Sequence, residues 1–209
     1  MTLDYDGIAA MLRGGAALVR ENQDLLSRLD SVGGDGDHGA TMTRAMGCLE
    51  AVITADTTRD IKSLLHAVGW AILGVDGGAV GPLLGGFFMA MAPAAQGKTT
   101  LDAAELATVF EAGLAGVLKQ TKARPGDKTM VDALQPAVDA LRSAADAAAT
   151  VHDALERAAD AAEQGAKSTE GLQARFGRAK NIKEQSIGSP DAGATSISLL
   201  FRGFSRSVG

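Results

Sequence analysis

Cysteine occurs once in 209 residues, as Cys48, which excludes an intrachain disulfide framework and a cysteine zinc site. A lone thiol suits a reducing, cytoplasmic setting, and its expected role is that of a small buried apolar residue. Aromatics are scarce at 4%, and much of the 46% hydrophobic content is alanine. A β-sandwich or barrel would want more Val, Ile, Tyr and Phe, whereas alanine favours closely packed helices. No basic excess is present either. The net charge of -5 argues against a nucleic-acid or membrane-surface binder, which would present a basic face. The acidic amino terminus lacks the basic region of a secretory signal. Residues Ala67 to Ala95 are apolar, but Asp76, Pro82 and the glycines from Gly74 to Gly86 interrupt them, so no continuous membrane span is expected.

What is present is helical periodicity. Ile8, Met11, Leu12, Gly15, Leu18, Val19, Asn22, Leu25, Leu26 and Leu29 form one stripe, predicting a first helix that runs to an acidic loop. A second helix is expected from near Ala40, and a third through Ile61, Leu64, Leu65, Val68 and Ile72. Pro82 sits in the first turn of a fourth, where its missing N–H costs nothing. Thr99 or Thr100 opens a fifth, with Asp102 placed to cap it. A sixth carries Met130 to Leu141 and is bent by Pro136. A seventh runs from about Val151 to Lys167, and a long loop from Gly171 to Gly193 precedes a last helix around Ile197 to Phe204. With no period-two alternation, no repeat and no linker, the expectation is one all-α domain over 1–209.

The run Asp30-Ser-Val-Gly-Gly-Asp35-Gly-Asp37-His38-Gly39 stands apart. Three carboxylates this close repel one another, and four glycines add nothing to a core. A divalent cation resolves the repulsion, because Mg2+ takes oxygen ligands and completes its shell with water or phosphate. The glycines allow sharp turns and bring amides near an anion. A solvated acidic turn is the plainer alternative. An EF-hand is excluded: counted from Asp35, Met46 falls where a bidentate glutamate is needed, and counted from Asp30, Val32 replaces the second ligand.

Four glycine-containing loops sit at helix boundaries: Gly33–Gly39, Gly74–Gly81, Pro125–Thr129 and Gly188–Gly193. In an up-down bundle, loops of one parity gather at one end, where helix amino termini present free N–H groups to an anion. His38 lies inside the acidic loop and suits a phosphate or ribose contact, and Arg178 could grip a phosphate with two N–H groups. His66 and His152 default to surface or satisfied positions. Ala92 to Thr99 approximates a Walker A loop, but lacks the preceding strand that such a loop requires.

The segments Gly34-Asp35-Gly36-Asp37-His38-Gly39, Gly126-Asp127-Lys128-Thr129-Met130, Gly177-Arg178-Ala179, Ser186-Ile-Gly188 and Asp191-Ala-Gly193-Ala-Thr-Ser196 together resemble the nucleotide-binding L subunit (DhaL type) of dihydroxyacetone kinase. The resemblance spans essentially the whole chain in order. It implies an antiparallel barrel of about eight helices with ADP or ATP at one end, held through two Mg2+ ions. By resemblance Asp30, Asp35 and Asp37 are the metal ligands. His38, Gly39, Ala40, Thr41, Ala79, Val80, Thr121, Met130, Arg178, Asp191, Ala192 and Gly193 fall at nucleotide-contact positions. It further implies a separate K-type subunit that holds a short ketose. The phosphoryl donor is either ATP or a phosphotransferase-system protein (DhaM type). No side chain of this chain is expected to act as a catalytic base, since the metals and the partner carry the chemistry. Two departures stand out. Relatives commonly have Thr-Ser where this chain has Ala79-Val80, and His-Gln where it has Ser189-Pro190. A regulatory ADP–Mg2+ binder without kinase activity remains the alternative.

Overall fold

Short polar side chains set most of the helix starts. In the computed structural model, which describes residues 2–208, Asp4 accepts from the Gly7 amide at 2.9 Å and opens α1 (Tyr5–Glu21). Asp60 opens α4 (Ile61–Leu73), Thr150 opens α8 (Val151–Ser168) and Asp191 opens α9 (Ala192–Arg206) in the same way. Before α6 (Ala103–Gln120), Asp102 and Glu105 form a reciprocal capping box. The remaining helices are α2 (Gln23–Asp30), α3 (His38–Ala55), α5 (Gly86–Met91) and α7 (Val131–Asp146). A π turn at Gly81–Gly85 and a 3-10 turn at Ala92–Ala95 extend α5 in both directions, with Pro82 in the first turn as expected.

Eight of these helices close a ring. α1 packs on α3, α3 on α4, and each following helix on the next, until α9 returns to α1. Neighbours run in opposite directions, because the same end of the ring collects the starts of α3, α7 and α9 and the finish of α6. Five phenylalanines fill the middle: Phe87, Phe88, Phe110, Phe201 and Phe204 meet edge-on or tilted, with centroids 5.3 to 6.1 Å apart. Small residues draw the long helices together. Pro136 has no N–H to offer the Asp132 carbonyl, and this carbonyl faces Gly165 of α8, where any Cβ would overlap it. Gly203 of α9 packs equally closely on Gly14 and Gly15 of α1.

The fold differs from expectation in four local features. The first stripe is broken at Asn22, whose side chain donates to the Leu18 carbonyl at 2.8 Å, so α2 is a separate short helix. Leu3–Asp4 pairs antiparallel with Thr100–Leu101, a two-residue ladder too short for any period to register, so α6 opens at Asp102 and not at Thr99 or Thr100. The loop before α9 contains a 3-10 segment, Arg178–Ser186, kinked at Lys183. Cys48 is half-buried rather than fully buried. Among the described residues, no helix is long and apolar enough to cross a membrane. Ala92–Thr99 forms a 3-10 turn and loop that does not line the cavity described next.

Candidate functional site

The acidic loop is built by its own first carboxylate. Asp30, at the end of α2, accepts from the amides of Gly36 (2.9 Å) and His38 (3.4 Å), and its carbonyl accepts from Gly34 (2.6 Å). Gly36 has φ of 78°, a conformation that costs a side-chain-bearing residue, so a glycine belongs at this bend. The fold of the loop brings one oxygen each of Asp30, Asp35 and Asp37 within 4.8 Å of one another. Asp35 and Asp37 are exposed, and Asp35 is ion-paired with Arg178 from the segment before α9. An all-oxygen, carboxylate-rich donor set of this kind fits Mg2+ and would suit a soft metal poorly.

This cluster forms one wall of a cavity of about 360 Å³ at the end of the ring. All four glycine-containing loops contribute to it. The start of α3 supplies His38, Thr41 and Met42; the turn before Pro82 supplies Gly77, Gly78, Ala79 and Val80. From the α6–α7 junction come Thr121, Lys128, Thr129 and Met130, and from the α9 side Phe176, Arg178, Asp191, Ala192, Gly193 and Ser196. Leu83, Leu84, Val131 and Ile197 make the inner part apolar. A cavity with an apolar interior and a polar, metal-suited rim matches a nucleotide in size and character.

Of the residues singled out by resemblance, all line the cavity except Gly39 and Ala40. Gly39 lies against α2, where a Cβ would collide with the Gln23 carbonyl and Ser27, so it lets the two helices meet. His38 Nε2 lies 3.0 Å from Ser196 Oγ, which links the acidic loop to α9. Burial lowers the His38 pKa, against the opposing charge of Asp30 and a hydrogen bond to the Ala192 backbone. Asp191 caps α9 through the Ala194 amide at 2.8 Å. Burial pushes its carboxyl up to about 6; the Ala194 amide opposes this, and the charge of Asp132 reinforces it.

Sequence reasoning passed over several lining residues. Met42, Leu83, Leu84 and Ile197 sit at apolar helical positions, where nothing separates a cavity wall from a core. Lys128 is within a noted motif, but its burial to 5% exposure is not readable from the neighbouring residues. Asp132 is likewise hidden: it accepts from the amides of Gly126 (2.6 Å) and Thr129 (2.7 Å), shaping the turn that presents Lys128.

Residues 32–206 match the family model described as DAK2 domain. The chain belongs to the DAK2 domain family. It is 37% identical over 201 residues to the ADP-binding subunit DhaL of PEP-dependent dihydroxyacetone kinase 1 from Listeria innocua, covering 96% of both chains. Against the ADP-binding subunit DhaL of the Escherichia coli PEP-dependent dihydroxyacetone kinase, identity is 38% over 202 residues, covering 97% of this chain and 96% of the other. This is therefore a DhaL-type protein. The dihydroxyacetone kinase of C. freundii, solved in complex with AMP-PNP and Mg2+, superposes with a TM-score of 0.73 at 27% identity. That alignment covers 95% of this chain but 33% of the longer kinase, so this DAK2-family chain spans about a third of that protein's length.

Proposed function

We propose that the chain is the nucleotide- and Mg2+-binding subunit of a dihydroxyacetone-type kinase, delivering a phosphoryl group to a short ketose held by a separate DhaK-type subunit. The convergence of three carboxylates and three helix amino termini (α3, α7 and α9) on one nucleotide-sized cavity carries this reading. The names of the relatives support it: two are ADP-binding subunits at 37% and 38% identity over nearly their whole length, and a related kinase accepts AMP-PNP with Mg2+.

In this reading Asp30, Asp35 and Asp37 hold two Mg2+ ions. When bound, these ions neutralise and align the donor phosphates for in-line transfer. The chain's own groups do the rest. Amides at the starts of α3 and α9 face the anionic end, where helix dipoles favour negative charge. Arg178 offers its guanidinium to a phosphate, and His38 a ring nitrogen to phosphate or ribose. Met42, Leu83, Leu84, Met130 and Ile197 exclude water from the base. None of these groups needs to accept a proton from the ketose.

The test has two stages. Freshly purified protein should carry ADP or ATP, or bind ADP only with Mg2+ present. Mixed with a DhaK-type subunit and dihydroxyacetone, it should yield the phosphorylated ketose, with either ATP or a phosphorylated DhaM-type protein as donor. Binding without turnover under either donor would favour a regulatory ADP–Mg2+ protein instead. No binding would remove the nucleotide reading altogether.

A further inference from the structure

Lys128 is 5% exposed and its backbone has φ of 60°, left-handed territory that carries a conformational cost for a lysine. Such a cost persists only where the surroundings over-determine it, and here they do. Asp132 grips the turn from both sides through the amides of Gly126 and Thr129, and the Asp127 carboxylate accepts from the Arg124 amide at 2.8 Å. The result drives the lysine side chain inward. Its Nζ donates to the carbonyls of Thr169 (2.7 Å) and Ser189 (2.5 Å).

Those two carbonyls belong to separate segments, the end of α8 and the strand of chain entering α9. Thr169 adds a second clasp, accepting from the Asp191 amide at 2.8 Å through its hydroxyl. Asp191 then caps α9, whose first residues Ala192 and Gly193 line the cavity. Lys128 itself lines the same cavity and a smaller one behind it. Both of its hydrogen-bond partners are neutral carbonyls, which offset the cost of burying a cation only in part.

We propose that Lys128 is a positioning residue for the nucleotide: its charged ammonium pins Ser189 to the end of α8, setting where the start of α9 meets the ligand. The inference rests on the nucleotide reading and adds a titratable anchor to it. Burial lowers the Lys128 pKa below 10.5, opposed by the charges of Asp191, Glu170 and Asp132, which face it from α9, the end of α8 and α7. Losing the proton at alkaline pH removes the charge behind both donated hydrogen bonds and slackens the clasp.

The experiment is calorimetric titration of the full chain with ADP at fixed Mg2+, between pH 7.5 and 9.5, for native protein, Lys128→Arg and Lys128→Met. Native affinity should fall relative to that of Lys128→Arg as the pH rises towards the lowered Lys128 pKa. Lys128→Arg keeps its charge throughout and should give a flat profile. Lys128→Met should bind at least about tenfold more weakly at pH 7.5, the range expected for losing hydrogen bonds from a charged donor. Circular dichroism shows whether the methionine variant folds; if it does not, the native and arginine profiles decide. Parallel native and arginine profiles, or native-like affinity in a folded methionine variant, overturn the proposal while leaving the nucleotide reading intact. Native protein that fails to bind ADP with Mg2+ at pH 7.5 overturns both.

Discussion

Asp37→Asn separates electrostatic repulsion from metal binding better than any other change in the acidic loop. Asp30 has backbone duties and Asp35 is paired with Arg178, whereas Asp37 stands at the start of α3 without a side-chain cap hydrogen bond. Its oxygen lies within 4.8 Å of both other carboxylates, so in water each pair repels by about 0.9 kcal/mol. Salt at physiological strength leaves roughly half of that, about 1 kcal/mol for the two pairs. Neutralising Asp37 also forfeits about 0.3–1 kcal/mol of favourable interaction with the α3 dipole. The two effects nearly cancel, so without ligand the midpoint of thermal unfolding should stay within about 2–4 °C of native.

With ligand the outcome diverges. ADP and Mg2+ at about 100 times Kd stabilise the native chain by about 2.7 kcal/mol, or roughly 5–11 °C for a chain of this size. Losing outer partners of a metal site alone costs about 10–100-fold in affinity, so losing a direct ligand should cost about 100-fold or more. At the same ligand concentration the variant would retain about 0.4 kcal/mol of stabilisation, roughly 1–2 °C. Melting followed by circular dichroism, without ligand and with ADP alone, Mg2+ alone and both, reads all three shifts. A native-sized shift in Asp37→Asn would refute the placement of metal at this cluster.

Gly165→Ala should force a Cβ into the Asp132 carbonyl and lower stability by about 1–3 kcal/mol; thermal melting should show a drop of about 2–12 °C. Because Asp132 shapes the turn at Gly126–Thr129, ADP affinity by calorimetry should weaken in the same variant. Val80→Ser supplies a hydroxyl on the cavity wall, and one added hydrogen bond should tighten ADP binding about three- to tenfold; unchanged affinity would mean that Val80 serves the core it also packs against. Asp191→Asn tests a pH dependence. The folded pKa is raised to about 6 from 3.8, so the folded state holds the proton more tightly. Ionisation at neutral pH therefore destabilises, and that penalty is relieved as pH falls from above 6 towards 3.8. Asparagine caps as well as aspartate, so the nucleotide-free variant should lose this pH dependence while keeping α9.

The helices were legible because caps and stripes are local. Asp102 three residues before Glu105 announces α6 without any tertiary knowledge, and the Leu64, Leu65, Val68, Ile72 spacing announces α4. The break at Asn22 was not, because apolar residues continue at helical spacing on both sides of it. The Asn22 side chain bonded to the Leu18 carbonyl marks the break, and α2 beyond it packs against α3 and α9. The Leu3–Leu101 pairing is hidden for a different reason: two residues carry no period, and their partner lies almost a hundred positions away.

The candidate site divides along the same line. Asp30, Asp35 and Asp37 stand out in the sequence as a candidate cation site because clustered carboxylates among glycines repel one another, although the structure also gives Asp30 the task of holding the Gly36 and His38 amides. Lys128 does not, because in sequence it is one lysine among acidic and small residues, indistinguishable from a solvated charge. Its burial depends on a left-handed turn that Asp132, four residues further on, imposes from the first turn of α7. The same aspartate sits where Pro136 offers its carbonyl no N–H and Gly165 lets α8 come close. A proline, a glycine and an aspartate on two helices thus cooperate to place one ammonium beside α9. Each reads alone as a tolerated irregularity in a helix, and only their meeting across α7 and α8 gives them a common purpose. Substituting any of the three should therefore disturb the Ser189 clasp, and Gly165→Ala is the cleanest, since it adds a single methyl group against the Asp132 carbonyl and changes no charge.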